Sequence, residues 1–467
     1  MKKTLIYLFT LIIFFQIVPP IYTSASTLST TIRVGLNWGE STTTLNSDVS
    51  ILCPIGFEIR DKNGILQWDA LKNTPNKIVI GRKNHALQRT EIVVDGIVRF
   101  SAPRNDHIRI QPTTSIFKYK NPVFSGTKDA EGYTTYLGSC LLFWPSGSGT
   151  TDRIFVINNL AFEDYLRGVV GREMGSGSHI EALKAQAVCA RTFAMSRLNS
   201  GMHKHNGFDI GCTTSDQVYG GNDNITSINN AVSQTAGKMM YYNNSLITAM
   251  YFSNTGGTVT EDNLYVNGNN YHPYLKSVDS SFETGGTNFT WTSTVSASTI
   301  EQYYANAGTP IGTLQDIVIT RTPAGNVRQV DIKGTIRTIT RTNSQCRSMG
   351  FVTTHSPRYS ITKSGTTYTF NGRGWGHFVG MSQVGAMDMA KMPKYYSHIV
   401  TQNKNYALSN LPFGLFHILT NNGSETADSS KFSIITKDKI IETGNSTSGG
   451  YTYTEILKHY YTGIEIK

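Results

Sequence analysis

Glu173 closes a run from Leu160 to Met174 in which the apolar residues recur at helical spacing. Phe162, Leu166, Val169 and Glu173 are separated by 4, 3 and 4 positions, so a 3.6-residue period puts the carboxyl on the same face as the apolar groups. A carboxyl held there is partly desolvated and sits at the negative end of the helix dipole, and both effects disfavour its charged form. The pattern predicts an acid that keeps its proton toward neutral pH, which is what a general acid needs. The bland alternative is a surface Glu on a frayed helix end, since Gly168 and Gly171 weaken the same helix.

Two other segments carry groups suited to binding. The stretch Asn371-Gly-Arg-Gly-Trp-Gly-His-Phe-Val-Gly-Met-Ser-Gln383 intersperses glycines with Arg373, Trp375, His377 and Gln383, which leaves backbone exposed between large hydrogen-bonding side chains. It lacks the Gly-Lys-Ser/Thr ending of a phosphate loop, and Ser382 lacks the second glycine of a nucleophile elbow. Trp375 is suited to stacking on a sugar ring, with His377 and Gln383 binding hydroxyl or N-acetyl groups. The run from Leu246 to Thr258 reads as a strand entering a Thr-Gly-Gly turn, and it would bring Tyr251 and Ser253 to the same cleft. Glu261 and Asp262 follow and read as a surface loop, with the capacity to supply a second carboxylate.

These groups need elements to position them. A second helix begins just after Glu173, where Ser178 and Glu181 form an S-x-x-E capping box. Its stripe, Ile180, Leu183, Ala187, Ala190 and Ala194, is mostly alanine and lets another backbone approach. The turn Gly175-Ser-Gly-Ser178 is short, so Gln186 and Arg191 are the polar groups expected to flank the carboxyl. The fold class expected is α+β, a β-rich N-terminal region followed by a mixed helix/strand core. The divisions are 1–25 as a signal peptide, 26–155 as the β-rich region, 156–391 as the core, 392–450 as a turn-rich insertion and 451–467 as a C-terminal helix of the core.

The whole chain sets the setting. Two lysines followed by an apolar stretch of about 15 residues, then Pro19-Pro20 and a small-residue site ending at Ala25, read as a cleavable secretory signal. An uncleaved membrane anchor is the alternative. The five cysteines are widely spread with no CxxC pair, so stability does not call for a disulfide framework, and Cys189 reads as a small core residue. A formal charge of +10 and a pI near 9.2 suit a secreted protein working beside anionic polymer such as a cell wall. No Lys/Arg cluster or binding motif points to nucleic acid.

Taken together the segments resemble the SpoIID/LytB family, named for sporulation stage II protein D and the amidase enhancer LytB. The resemblance rests on Leu166-x-Gly-Val-Val-x-x-Glu173-Met174, Glu181-Ala-Leu-Lys-Ala-Gln-Ala-Val188 with Ala190-Arg-Thr192, Gln217-Val-Tyr219, Gly256-Gly257, Gly374-Trp-Gly-His377 with Gly380-Met-Ser-Gln383, and Ile456-Leu-Lys-His-Tyr-Tyr461. It spans about Tyr136 to Ala390 plus the C-terminal end. It implies a bacterial cell-wall protein whose sporulation branch is a peptidoglycan lytic transglycosylase, cutting peptide-free glycan strands to a 1,6-anhydromuramic product without a cofactor. Glu173 matches the family's catalytic acid. The other branch implies a non-catalytic, wall-binding enhancer of an N-acetylmuramoyl-L-alanine amidase.

The chain departs from the family in two places. Some members carry zinc-ligand cysteines where this sequence has Gly211 and Asp216. With His203, His205 and Cys212 as the remaining scattered candidates, no structural metal is expected. Gly171 and Gly175 stand where the family usually has proline, and they are expected to loosen the helix end around Glu173.

Overall fold

The computed structural model describes residues 31–38, 48–122, 127–146, 152–266, 271–392, 431–436, 439–445 and 450–467. The expected signal peptide lies outside the described residues. So does most of the 392–450 segment, of which the antiparallel hairpin Lys431–Thr436 and Lys439–Asn445 is described. No helix among the described residues is long and apolar enough to cross a membrane.

The protein is α+β, and its N-terminal region is β-rich. Strands there alternate inward apolar and outward polar residues, as in Val49–Arg60, which buries Ile51, Cys53, Phe57 and Ile59. They build an eleven-stranded sheet. Its first strand, Thr31–Gly35, pairs antiparallel with Phe155–Ala161 and parallel with Ile210–Gly211. Phe155–Ala161 is buried over most of its length and runs straight into the helix that carries Glu173, so the sheet sets where that helix starts.

Among the described residues the helices are α1 (Phe162–Met174), α2 (Ile180–Ser200), α3 (Thr226–Gln234), α4 (Ala297–Asn306), α5 (Gln383–Lys391) and α6 (Tyr453–Tyr460). The expected alanine stripe of α2 widens into burial on almost every face, because α1, α3, α5 and α6 all pack against it. Small side chains make that approach possible from all sides. The capping expectation is corrected. The N-cap of α2 is His179, whose Nδ1 accepts the Glu181 N–H at 3.3 Å. Ser178 Oγ turns back instead to donate to the Met174 carbonyl at 2.7 Å, satisfying an orphan acceptor at the end of α1. Glu181 accepts from Lys184 at 2.6 Å and from the Tyr453 N–H at 2.8 Å, which ties α6 to α2.

Side chains from Ile32 to Ile464 share one main core, which runs across the sheet, α1, α2 and the C-terminal end. Glu465–Ile466 pairs with Met240–Tyr242 and closes it. A second core, from Trp291 to Phe370, belongs to a smaller unit made of α4 and two three-stranded sheets. All five cysteines are free and buried. Cys189 sits in the main core, where burial pushes its thiol up to about 12.

The glycines beside Glu173 play different parts. Gly175 ends α1 with a positive φ of 76° and donates its N–H to Gly171 O at 3.0 Å, a conformation that favours glycine. Gly171 is helical, and a methyl group there would meet only Ile228 at ordinary contact distance, 3.6 Å. Gly171→Ala is therefore expected to stabilise the protein by about 0.5–1 kcal/mol, read as a higher melting temperature. A lower one would show that α1 needs the glycine for a reason other than space.

Candidate active site

Glu173 leaves the last turn of α1 partly exposed, and three donors from distant segments hold its carboxyl. Oε1 accepts the Val218 N–H at 3.0 Å, Oε2 accepts the Gln383 side-chain amide at 3.1 Å, and the Tyr251 hydroxyl completes the set. The Tyr251 hydroxyl itself accepts from Gln217 Nε2 at 3.1 Å, which leaves its single proton for Glu173. Gln217 is held by the Tyr165 hydroxyl at 2.9 Å and by the Ala190 carbonyl at 3.3 Å. Burial raises the Glu173 pKa above the ordinary value, and the hydrogen bonds from Val218, Gln383 and Tyr251 offset part of that rise.

Two short parallel strands bring the donors together. Tyr251–Phe252 pairs with Met381–Ser382, and the Val384 N–H donates to Ser253 O at 3.0 Å, so Tyr251, Ser253 and Gln383 lie on adjoining chains. Ser253 Oγ accepts from Asn254 Nδ2 at 3.2 Å. The turn after this strand interlocks with the Gly-Trp-Gly-His loop. A Cβ at Gly256 would fall 2.5 Å from the Gly374 nitrogen, so the two backbones meet only because neither residue has a side chain. Trp375 exchanges both backbone hydrogen bonds with Asn254, at 2.9 and 3.1 Å, and leaves its indole 42% exposed, open to a ligand. The Arg373 guanidinium lies over the Phe289 ring, with a buried Nε that has no hydrogen-bond partner.

Other expected site residues prove to be structural. Arg191 does not turn to Glu173: it grips Glu163 through two bonds of 2.8 and 2.7 Å and also donates to the Val232 and Lys238 carbonyls. The acid in the first turn of α1 takes the cation that the acid at its end was expected to attract. His377 offers neither nitrogen to a sugar, since Nδ1 accepts the Val379 N–H at 3.1 Å and the ring also bonds the Tyr251 backbone. Burial first, then the nearby Arg347, lowers its pKa to about 4, so it is a neutral strut under the Tyr251 strand. Gln186 is fully buried with neither amide atom hydrogen bonded among the described residues.

The expected surface loop at Glu261 is also corrected. Glu261 is buried, accepts from Thr322 Oγ1 at 2.7 Å and Asn326 Nδ2 at 2.9 Å, and so pins the smaller unit to the segment beside the site. Asp262 caps the short turn Asn263–Tyr265 and pairs with Lys276.

Sequence reasoning missed Tyr165, Gln217, the Val218 N–H and Glu283. Gln217 and Val218 stand in the family pattern, which was the available signal. Glu283 carried none. It is buried, accepts the Thr255 N–H at 2.8 Å and Ser280 Oγ at 2.9 Å, and bonds the Ser382 hydroxyl. Ser280 also meets the Tyr460 hydroxyl at 2.7 Å, and Ser382 is the N-cap of α5 that precedes Gln383. Glu283 thus knots together the turn that holds Trp375, the start of the helix that holds Gln383, and α6.

The residues at the zinc-cysteine positions do not fit a thiolate site. Gly211 contributes no side chain, and its N–H donates to Asp216 Oδ2 at 2.9 Å. Asp216 is engaged by His203 Nε2 at 2.8 Å and by Arg197 at 3.1 Å. Cys212 points elsewhere, with Sγ 3.2 Å from the Leu36 carbonyl.

Fold and site together define an α+β protein that presents the caged Glu173 carboxyl, its pKa raised, near a glycine-rich loop bearing an exposed tryptophan. The SpoIID family model, described as Stage II sporulation protein, matches residues 150–242, and a domain of unknown function, DUF8618, matches residues 261–380. The chain is 33% identical over 294 residues to an uncharacterized protein of Brachyspira hyodysenteriae, covering 60% of this chain and 74% of that one. It is 31% identical over 261 residues to the stage II sporulation protein D of Bacillus subtilis, covering 52% and 73% respectively. It is 29% identical over 285 residues to the amidase enhancer of Bacillus subtilis, covering 50% of this chain and 39% of that longer protein. The chain belongs to the SpoIID family.

Proposed function

We propose that the protein is a lytic transglycosylase acting outside the cytoplasm on the glycan strands of peptidoglycan, with Glu173 as acid and then base. The observation that carries this reading is the caged carboxyl itself: its pKa is raised, and among the described residues no second carboxyl shares its hydrogen bonds. Glu261 and Glu283 are each committed to other partners. Ordinary glycosidases divide the work between two carboxyl groups, whereas one suffices when the substrate supplies its own nucleophile. Protonated Glu173 gives its proton to the glycosidic oxygen as the C1–O bond breaks and the bonding pair leaves with that oxygen. An oxocarbenium-like sugar remains. The Glu173 carboxylate then takes the proton of the muramic C6 hydroxyl as that oxygen bonds C1, which closes the 1,6-anhydro ring and restores the acid. The hydrogen bonds from Val218, Gln383 and Tyr251 hold the carboxylate between the two steps. Trp375 supplies a stacking surface for a neighbouring sugar.

Digestion of purified glycan followed by mass spectrometry tests the reading. Anhydro ends are expected, and reducing ends heavier by one water would replace it with hydrolysis. The likeness to an amidase enhancer favours a second reading, a non-catalytic protein that binds wall polymer and stimulates an N-acetylmuramoyl-L-alanine amidase. That reading requires no product from glycan alone, together with amidase stimulation that survives Glu173→Gln.

A further inference from the structure

The smaller unit carries a surface that the chemistry at Glu173 does not use. Its strands Thr290–Ser296 and Thr367–Arg373 run antiparallel, with Thr290 opposite Arg373 and Thr292 opposite Asn371. At that end they border an open cavity of about 430 Å³ lined by Thr290, Trp291, Thr292, Asn371, Gly372 and Arg373. Gly372 makes the cavity possible. A Cβ there would fall 2.1 Å from the Trp291 ring, so the indole lies directly against bare backbone. The Trp291 Nε1–H donates to Gly374 O at 3.1 Å, which joins this floor to the Gly-Trp-Gly-His loop.

The lining has unspent hydrogen-bonding capacity. The Thr292 hydroxyl donates to Asn371 Oδ1 at 3.0 Å, which orients the amide and leaves its NH2 group available. Arg373 Nε is buried without a partner among the described residues, an arrangement that costs free energy until an acceptor arrives. Between residues 290 and 373 the chain carries nine Lys and Arg against three acidic residues, which favours a ligand with negative charge over a neutral one. The cavity is also tied to the site through the chain. Arg373 is two residues from the exposed Trp375, which is clamped to Asn254, next to the strand whose Tyr251 bonds Glu173.

We infer that this groove is a distal subsite for an acidic saccharide, taking further sugar units of the strand whose cleavage is proposed at Glu173, with a carboxylate on the strand opposite Arg373. The inference rests on that proposed reading for its ligand but is tested by binding alone. A loop that stacks one sugar on Trp375 and a groove that hydrogen bonds the next units make affinity grow with strand length.

The experiment uses the full chain carrying Glu173→Gln, titrated with peptide-free glycan fragments of two and of four disaccharide repeats, with and without the added pair Thr292→Ala and Asn371→Ala. The longer fragment is expected to bind about tenfold more tightly than the shorter, and the pair of substitutions to remove that gain while leaving affinity for the shorter fragment in place. Equal affinity for both lengths, or an equal loss for both, would overturn the subsite. A chitin oligosaccharide of matched length, which lacks the carboxylates, is expected to bind more weakly, and equal binding would overturn the acidic preference. Length-dependent binding in a protein whose wild type yields no anhydro product would sink the transglycosylase reading and leave the subsite standing. Anhydro product without length dependence would do the reverse.

Discussion

With Glu173 replaced by Gln, turnover of glycan is expected to fall by roughly 10³-fold or more, because in the proposed mechanism one group performs both proton transfers and an amide can perform neither. Gln has nearly the size and shape of Glu and leaves the exposed Trp375 in place, so the loss is expected in kcat and not in affinity. The wild-type pH profile carries the same information. The reaction starts from the protonated acid, so the rate falls as pH rises through the Glu173 pKa, which burial places above the ordinary Glu value. The linkage to stability has a definite sign. A carboxyl whose folded pKa is raised binds its proton more tightly in the folded protein than in the unfolded chain. Wild-type stability therefore declines as pH rises from the ordinary value of 4.5 to the raised folded one, and Glu173→Gln removes that decline. An alkaline limb that persists unchanged in the residual activity of the variant would mean that another group titrates.

The second large effect is expected at Glu283, which no sugar need touch. Glu283→Ala strands the Thr255 N–H and takes the carboxylate acceptor from the hydroxyls of Ser280 and Ser382 in a buried setting. At about 1–3 kcal/mol for each donor left unpaired, the variant should lose on the order of 3 kcal/mol or more of stability, readable in urea unfolding. It should also lose activity under conditions where it remains folded, because Ser382 sets the start of α5 and hence the reach of Gln383 to Glu173. Glu283→Gln keeps one carbonyl acceptor and should recover part of both losses. A wild-type unfolding midpoint in Glu283→Ala would show that the three donors find other partners.

What could be read in the sequence follows the range of the interaction. The helix under Glu173 and the phase of its carboxyl were legible because a 3.6-residue period is a local property, and the β-rich N-terminal region was legible from alternation. Tyr251 and Gln383 were expected at the same cleft as Glu173, yet periodicity alone could not say that they bond its carboxyl, Gln383 across 210 positions. Arg191 shows the opposite error. Its spacing on α2 suited Glu173, but Glu163 on the same neighbouring helix was equally available and won through two-pronged geometry. His377 looked like a ligand-binding group because histidines on glycine-rich loops are versatile, whereas one backbone partner is the local Val379 and the other, Tyr251, lies on a strand that only the fold brings near. Glu283 was invisible for the same reason, since a buried acid and a surface acid read alike until their donors are known.

The cage around Glu173 draws on residues 173, 218, 251 and 383, so the last of its walls is made far along the chain. A ribosome delivers them in that order. Until Gln383 and the α5 cap have been synthesised, Glu173 is an ordinary solvated carboxylate, ionised near neutral pH and useless as a proton donor. On the proposed reading the acid is thus armed by completion of the fold: a nascent or truncated chain carries the residue but not its raised pKa.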